Sequence, residues 1–111
     1  MKIVVLAGGL SPEREVSLSS GSLIANALME KEHRVLLLDV YRGMRDLPED
    51  LDTLFRGEER YSHTVTDRVP DLEALRREVG IGNALVGPNV ARLCQAADRV
   101  FLALHGGMGE N

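Results

Sequence analysis

The sequence predicts an α/β domain with a mostly parallel sheet, and two stretches with a shared logic carry that prediction. Near the amino end, MKIVVLAGGLSPEREVS runs apolar from Ile3 to Ala7, breaks at Gly8-Gly9, and reaches a helical pattern after Glu13-Arg14-Glu15. At the other end, VFLALHGGMGEN runs apolar from Val100 to Leu104 and empties into His105-Gly106-Gly107. A strand that is apolar throughout, rather than alternating, reads as one covered on both faces, as in a parallel sheet between helix layers. In such sheets the loops at the strand carboxyl ends form the binding crevice. If the first and last strands are parallel neighbours, Glu13 and His105 meet at one rim.

Each element follows from local chemistry. After the first strand, Ser11-Pro12 predicts a helix entry, with Ser capping free N–H groups and Pro in the first helical position. Val16, Leu23, Ile24, Ala27 and Leu28 are expected to form the helix's buried stripe. Ser19, Ser20 and Gly21 would allow close approach to the sheet; Gly21 costs about 1 kcal/mol of helix propensity relative to Ala, so packing should demand it. The helix is expected to end near Lys31. His33–Val40, HRVLLLDV, is the second strand, which completes a right-handed βαβ unit. Asp39 ends this strand where dinucleotide enzymes place a ribose-binding acid. AGGLSPE lacks the G-x-G-x-x-G turn that reading requires, so Asp39 is expected to be structural or solvent-exposed.

From Tyr41 to Pro88, prolines and glycines break the chain into short pieces. Leu47–Phe55 reads as a short helix, Tyr61–Val65 as β, and Asp71–Val79 as a capped helix. So long an irregular insertion is uncommon in a compact domain. His63 has no companion ligand and reads as a surface histidine. A helix capped by Asn89 or initiated by Pro88 runs to Ala96, and Arg99–Leu104 is the last strand.

Composition bounds the function. A chain of 111 residues suits one domain, and 44% hydrophobic residues suffice for a core. Aromatics are only 4% and Trp is absent, so that core is aliphatic. Thirteen Lys and Arg against seventeen Asp and Glu, a net charge of -4, weigh against nucleic acid or anionic membrane as partners. The single cysteine excludes an internal disulfide, and Val90, Leu93, Cys94 and Ala97 at helical spacing make Cys94 a core filler. The start is too short and glycine-broken for a signal peptide, and no apolar run approaches the ~20 residues of a membrane span. A cytoplasmic location is the expectation.

Two segments together carry a family resemblance. Gly8, Gly9, Ser11, Glu13, Arg14, Glu15, Val16 and Ser17 match one motif; His105, Gly106, Gly107, Met108, Gly109, Glu110 and Asn111 match H-G-x-x-G-E-(D/N). The chain resembles the amino-terminal domain of the D-alanine–D-alanine ligases. That resemblance implies a Rossmann-like, three-layer pre-ATP-grasp domain over residues 1–111, inactive without the ATP-grasp domains. Those domains would hold ATP and Mg²⁺ (or Mn²⁺), so no cofactor is expected on this fragment. The implied reaction joins two D-alanines for the cell wall: ATP phosphorylates the first carboxylate, then the second amine displaces phosphate. The expected partners are D-alanine, the rest of the ligase chain, and a second copy in a homodimer.

The resemblance also assigns residues. Glu13 matches the catalytic acid that orients the first substrate's ammonium, and charge-assisted hydrogen bonds suit that task. His105, with Gly106 where backbone can approach a ligand, matches the histidine beside the same substrate, and Val16 and Ser17 line the site. Read without the family, Glu13 serves the positive end of the helix dipole. Glu15 reads as a salt-bridging or capping residue and Arg14 as a solvent-facing or structural cation. The Gly8-Gly9 turn fits no phosphate loop, so close packing around substrate is its expected use. Rival readings are a D-alanine–D-lactate or D-serine ligase, a stand-alone Rossmann-like ligand-binding module, and a dimerising interaction domain.

Overall fold

The computed structural model describes residues 1–63 and 71–104. Strand β1 (Lys2–Ala7) leads into helix α1 (Arg14–Glu30), and strand β2 (Arg34–Asp39) follows. A 3-10 turn (Leu51–Leu54), α2 (Leu72–Val79), α3 (Val90–Ala96) and β3 (Arg99–Leu102) complete the order. The sheet runs β2-β1-β3, with β1 parallel to both neighbours, Val4 pairing with Leu36 on one side and Val100 on the other. It is the α/β, all-parallel open sheet that the terminal motifs predict.

Alternation along β1 builds two cores, because successive side chains point to opposite faces. Ile3, Val5 and Ala7 pack with Val35, Ala25, Met29 and Ala103 beneath α1. Val4 and Leu6 pack with Leu36, Leu38, Phe55, Val90 and Leu93 beneath α3 and the 3-10 turn. Helix, sheet and helix thus form three layers with β1 at the centre.

Several expectations need correction. The buried stripe of α1 is Arg14, Ser17, Gly21, Ser22, Ala25 and Met29, whereas Val16 (48%) and Leu23 (70%) are exposed. Small residues win this face because the helix lies close to the sheet. A Cβ on Gly21 would stand 2.9 Å from both Ala7 Cβ and Leu37 Cδ1. The helix begins at Arg14 with Glu13 at the cap position, so Pro12 lies in the preceding turn and Ser11 does not cap a helical N–H. Its other end is where the pattern puts it, at Lys31.

Among the described residues β3 is the edge of the sheet: Val100, Phe101 and Leu102 are 42–62% exposed, because the described helices lie over β1 and β2. Leu47–Phe55 contains only the 3-10 turn. Of the expected strand Tyr61–Val65, residues 61–63 form no regular element, and 64 and 65 lie outside the described residues. Tyr61 is instead pinned to α1 and β2: it exchanges two hydrogen bonds of 2.9 Å with the Asn26 amide, and its hydroxyl donates to Val35 O at 2.8 Å.

The breaks in the middle segment have local reasons. Asp71 accepts from Ala74 N at 3.0 Å and Gly80 (φ 70°) ends α2, as the capped pattern predicts. Asn89 occupies the cap position of α3, but its amide donates to Met44 O at 2.7 Å rather than capping. Cys94 packs partly buried against the α3-side core, and burial pushes its thiol pKa up. No helix among the described residues is long and apolar enough to cross a membrane.

Gly21→Ala checks the close packing. The added methyl gains about 1 kcal/mol of helix propensity but overpacks at a cost of about 1–3 kcal/mol. Urea denaturation should give a lower midpoint than wild type; a higher midpoint would show that the helix has room there.

Candidate functional site

The carboxyl ends of β1 and β2 are joined by an ion pair. Arg14 opens α1, is 7% exposed, and turns back over the Gly8-Gly9 turn. Its Nη2 meets Asp39 Oδ2 at 2.5 Å and its Nη1 donates to Gly9 O at 2.7 Å. Asp39, at the end of β2, accepts three backbone amides on Oδ1: Gly9 at 3.2 Å, Tyr41 at 2.9 Å and Arg42 at 3.3 Å. This carboxylate therefore ties the turn after β1 to the turn after β2. Asp39 takes the structural role, and of the two readings of Arg14, solvent-facing or structural, the structural one holds.

Gly8 and Gly9 have φ of 77° and 89°, a region that favours glycine. At Gly8 a Cβ would also lie 2.7 Å from Asp39 Oδ1. Both amides of the turn are taken, Gly8 N by Ser17 Oγ at 2.8 Å and Gly9 N by Asp39. With a carboxylate seated in it, the turn does not fit a phosphate group. Nor, among the described residues, do three or more His, Cys, Asp or Glu cluster to hold a metal ion.

Ser17 is fully buried, and its hydroxyl donates to Ala103 O. One side chain thus joins the β1 turn, α1 and the end of β3. Its hydroxyl faces the strand ends, not open solvent. Ala103 N donates to Leu6 O at 2.8 Å, carrying the β1–β3 pairing to the rim. The structure therefore sets Ala103 against the first turn of α1, while Leu104 packs on the α3-side core. His105, Gly106 and the rest of the second motif lie outside the described residues, and so does the expected meeting of His105 with Glu13.

Glu13 and Val16 are exposed on this rim. Glu13 Oε2 accepts from the Ser11 hydroxyl at 2.9 Å. Glu15 points elsewhere, its carboxylate 3.2 Å from His63 Nε2, which gives His63 an acidic neighbour that the sequence does not reveal. The Arg14–Asp39 pair is also invisible in the sequence: Asp39 carries the right charge at a strand end, but nothing local names its partner.

A side chain removed from a buried pair leaves the other charge unpaired, which costs about 3–5 kcal/mol. Asp39→Ala should lower unfolding stability by about that amount in urea titrations. A loss below about 1 kcal/mol would mean that Arg14 finds another partner.

Comparison with known proteins follows the same lines. The family model for the D-ala D-ala ligase N-terminus matches residues 2–111. The D-alanine--D-alanine ligase of Pediococcus pentosaceus is 46% identical across the whole chain, which covers 32% of that protein. The enzyme of the same name from Lacticaseibacillus casei is 43% identical over the whole chain, again 32% of its length. That of Halalkalibacterium halodurans is 51% identical over 51% of this chain. The chain thus spans about a third of the length of the relatives it matches end to end.

Proposed function

Since the chain belongs to the D-alanine–D-alanine ligase N-terminal family, we propose that it forms the first-substrate half-site of a ligase joining two D-alanines for peptidoglycan. One observation carries the reading: an exposed carboxylate, Glu13, stands at the carboxyl-end rim on a loop fixed from both sides. A carboxylate so held suits an ammonium ligand, because a charge-assisted hydrogen bond gains most when its acceptor is already in place.

In this reading Glu13 accepts hydrogen bonds from the ammonium of the first D-alanine. It thereby aims the substrate carboxylate toward the rest of the ligase chain. Val16 offers its exposed side chain to the substrate methyl group. Ser17 works from behind the rim, holding the Gly8 turn against the end of β3. By the family motif, His105 and Gly106 serve the same substrate. ATP with Mg²⁺ or Mn²⁺, bound by the remainder of the polypeptide, supplies the phosphoryl group that activates the first carboxylate. The full ligase acts in the cytoplasm as a homodimer, and this chain alone performs no ligation.

The test uses the full-length ligase. Glu13→Gln removes the charge and keeps the shape, and ligation should fall about 100-fold with the melting temperature unchanged. Near-normal turnover would take Glu13 out of the mechanism. Calorimetric titration of the 111-residue chain with ATP and NAD should show no binding; tight nucleotide binding would favour a stand-alone ligand-binding module.

A further inference from the structure

Glu13 lies on the surface, yet its carboxylate is tethered. The Ser11 hydroxyl donates to Glu13 Oε2 at 2.9 Å, and Ser11 Oγ accepts the Glu13 amide at 3.1 Å. Ser11 itself is buried, only 2% exposed, and its carbonyl accepts Arg14 N at 3.0 Å. Arg14 is locked in turn to Gly9 O and Asp39. A chain of contacts thus runs from the buried ion pair, through the turn, to the one carboxylate oxygen.

A serine serving only to start the helix would accept an amide from the first helical turn. Ser11 does not: the helix begins at Arg14, and both hydroxyl contacts go to Glu13. Pro12 between them restricts the backbone, so the hydroxyl and the carboxylate are held in one arrangement. Oε1 has no hydrogen-bond partner among the described residues, which leaves it for a ligand.

We propose that Ser11 is a positioning residue: its hydroxyl holds Glu13 Oε2 so that Oε1 is presented to the ammonium of the first substrate. The inference rests on the role given to Glu13 above. It adds a residue that touches no substrate and acts through the acid. A rotor freed of this bond spends less time in the productive orientation, and a hydrogen bond to a charged group is worth about tenfold in an equilibrium.

The experiment measures kcat and KM for D-alanine in the full-length ligase carrying Ser11→Ala, Ser11→Cys, Ser11→Thr, Glu13→Gln, and Ser11→Ala combined with Glu13→Gln. Ser11→Cys keeps the volume of the buried side chain and weakens the donor, so it stands in if the alanine variant folds poorly. Ser11→Ala and Ser11→Cys should each lower kcat/KM about tenfold, chiefly through KM for the first D-alanine. Ser11→Thr should recover most of that loss. In the Glu13→Gln background, Ser11→Ala should cost less than about twofold, since the group it positions is already disabled.

Wild-type kcat/KM in both Ser11→Ala and Ser11→Cys, with Glu13→Gln still crippled, would overturn the inference alone. A full tenfold loss added on top of Glu13→Gln would do the same, by showing that Ser11 acts on the fold and not through the acid. A fully active Glu13→Gln ligase would overturn the role of Glu13 and this inference with it.

Discussion

The carboxylate of Asp39 is the point at which the functional end of this domain is held together. It closes β2 and collects four donors: the Arg14 guanidinium and the amides of Gly9, Tyr41 and Arg42. Burying two charges is costly, and it succeeds where the geometry is close and the remaining polar atoms are satisfied. Here the geometry is close: Arg14 also donates from Nη1 to Gly9 O, and Asp39 uses both oxygens. The two turns that follow β1 and β2 therefore behave as one rigid piece.

A second fastening works on the opposite flank. Ser17 reaches the Gly8 amide and the Ala103 carbonyl from a buried position on α1. For this to happen the helix must sit close to β1, and Gly21 with Ala25 makes that approach possible. The choice of small side chains on the buried face and the polar fastening are parts of one requirement. A larger stripe would lift the helix and pull the hydroxyl away from the strand ends.

The rim that results divides its labour. Arg14, Ser11, Ser17 and Asp39 are buried or nearly so and hold the frame, while Glu13 and Val16 remain outside it. Both turn amides are committed to protein partners, so the Gly8-Gly9 turn is a structural fastening and not an anion cradle. The burial pattern explains why a glycine pair can follow a strand here without any role toward phosphate. Close approach of the Asp39 side chain demands the small residue, since a Cβ at Gly8 would meet that carboxylate.

What the sequence by itself determined is local. The apolar runs placed β1 and β2, the Asp71 cap and Gly80 bounded α2, and the paired motifs marked the strand ends and the family. Local propensity and spacing suffice for these, because each depends on neighbours a few positions away. Only the tertiary structure decided which face of α1 is buried, that β3 is the exposed edge of the described sheet, and that Arg14 and Asp39, twenty-five positions apart, form a pair. Apolar periodicity pointed to Val16 and Leu23 as core residues, but the closeness of helix to sheet selected Ser17, Gly21 and Ala25 instead. Burial of a strand depends on what covers it, and pairing of charges depends on where two turns meet. Neither quantity is a property of any short stretch of residues, so neither could be read along the chain.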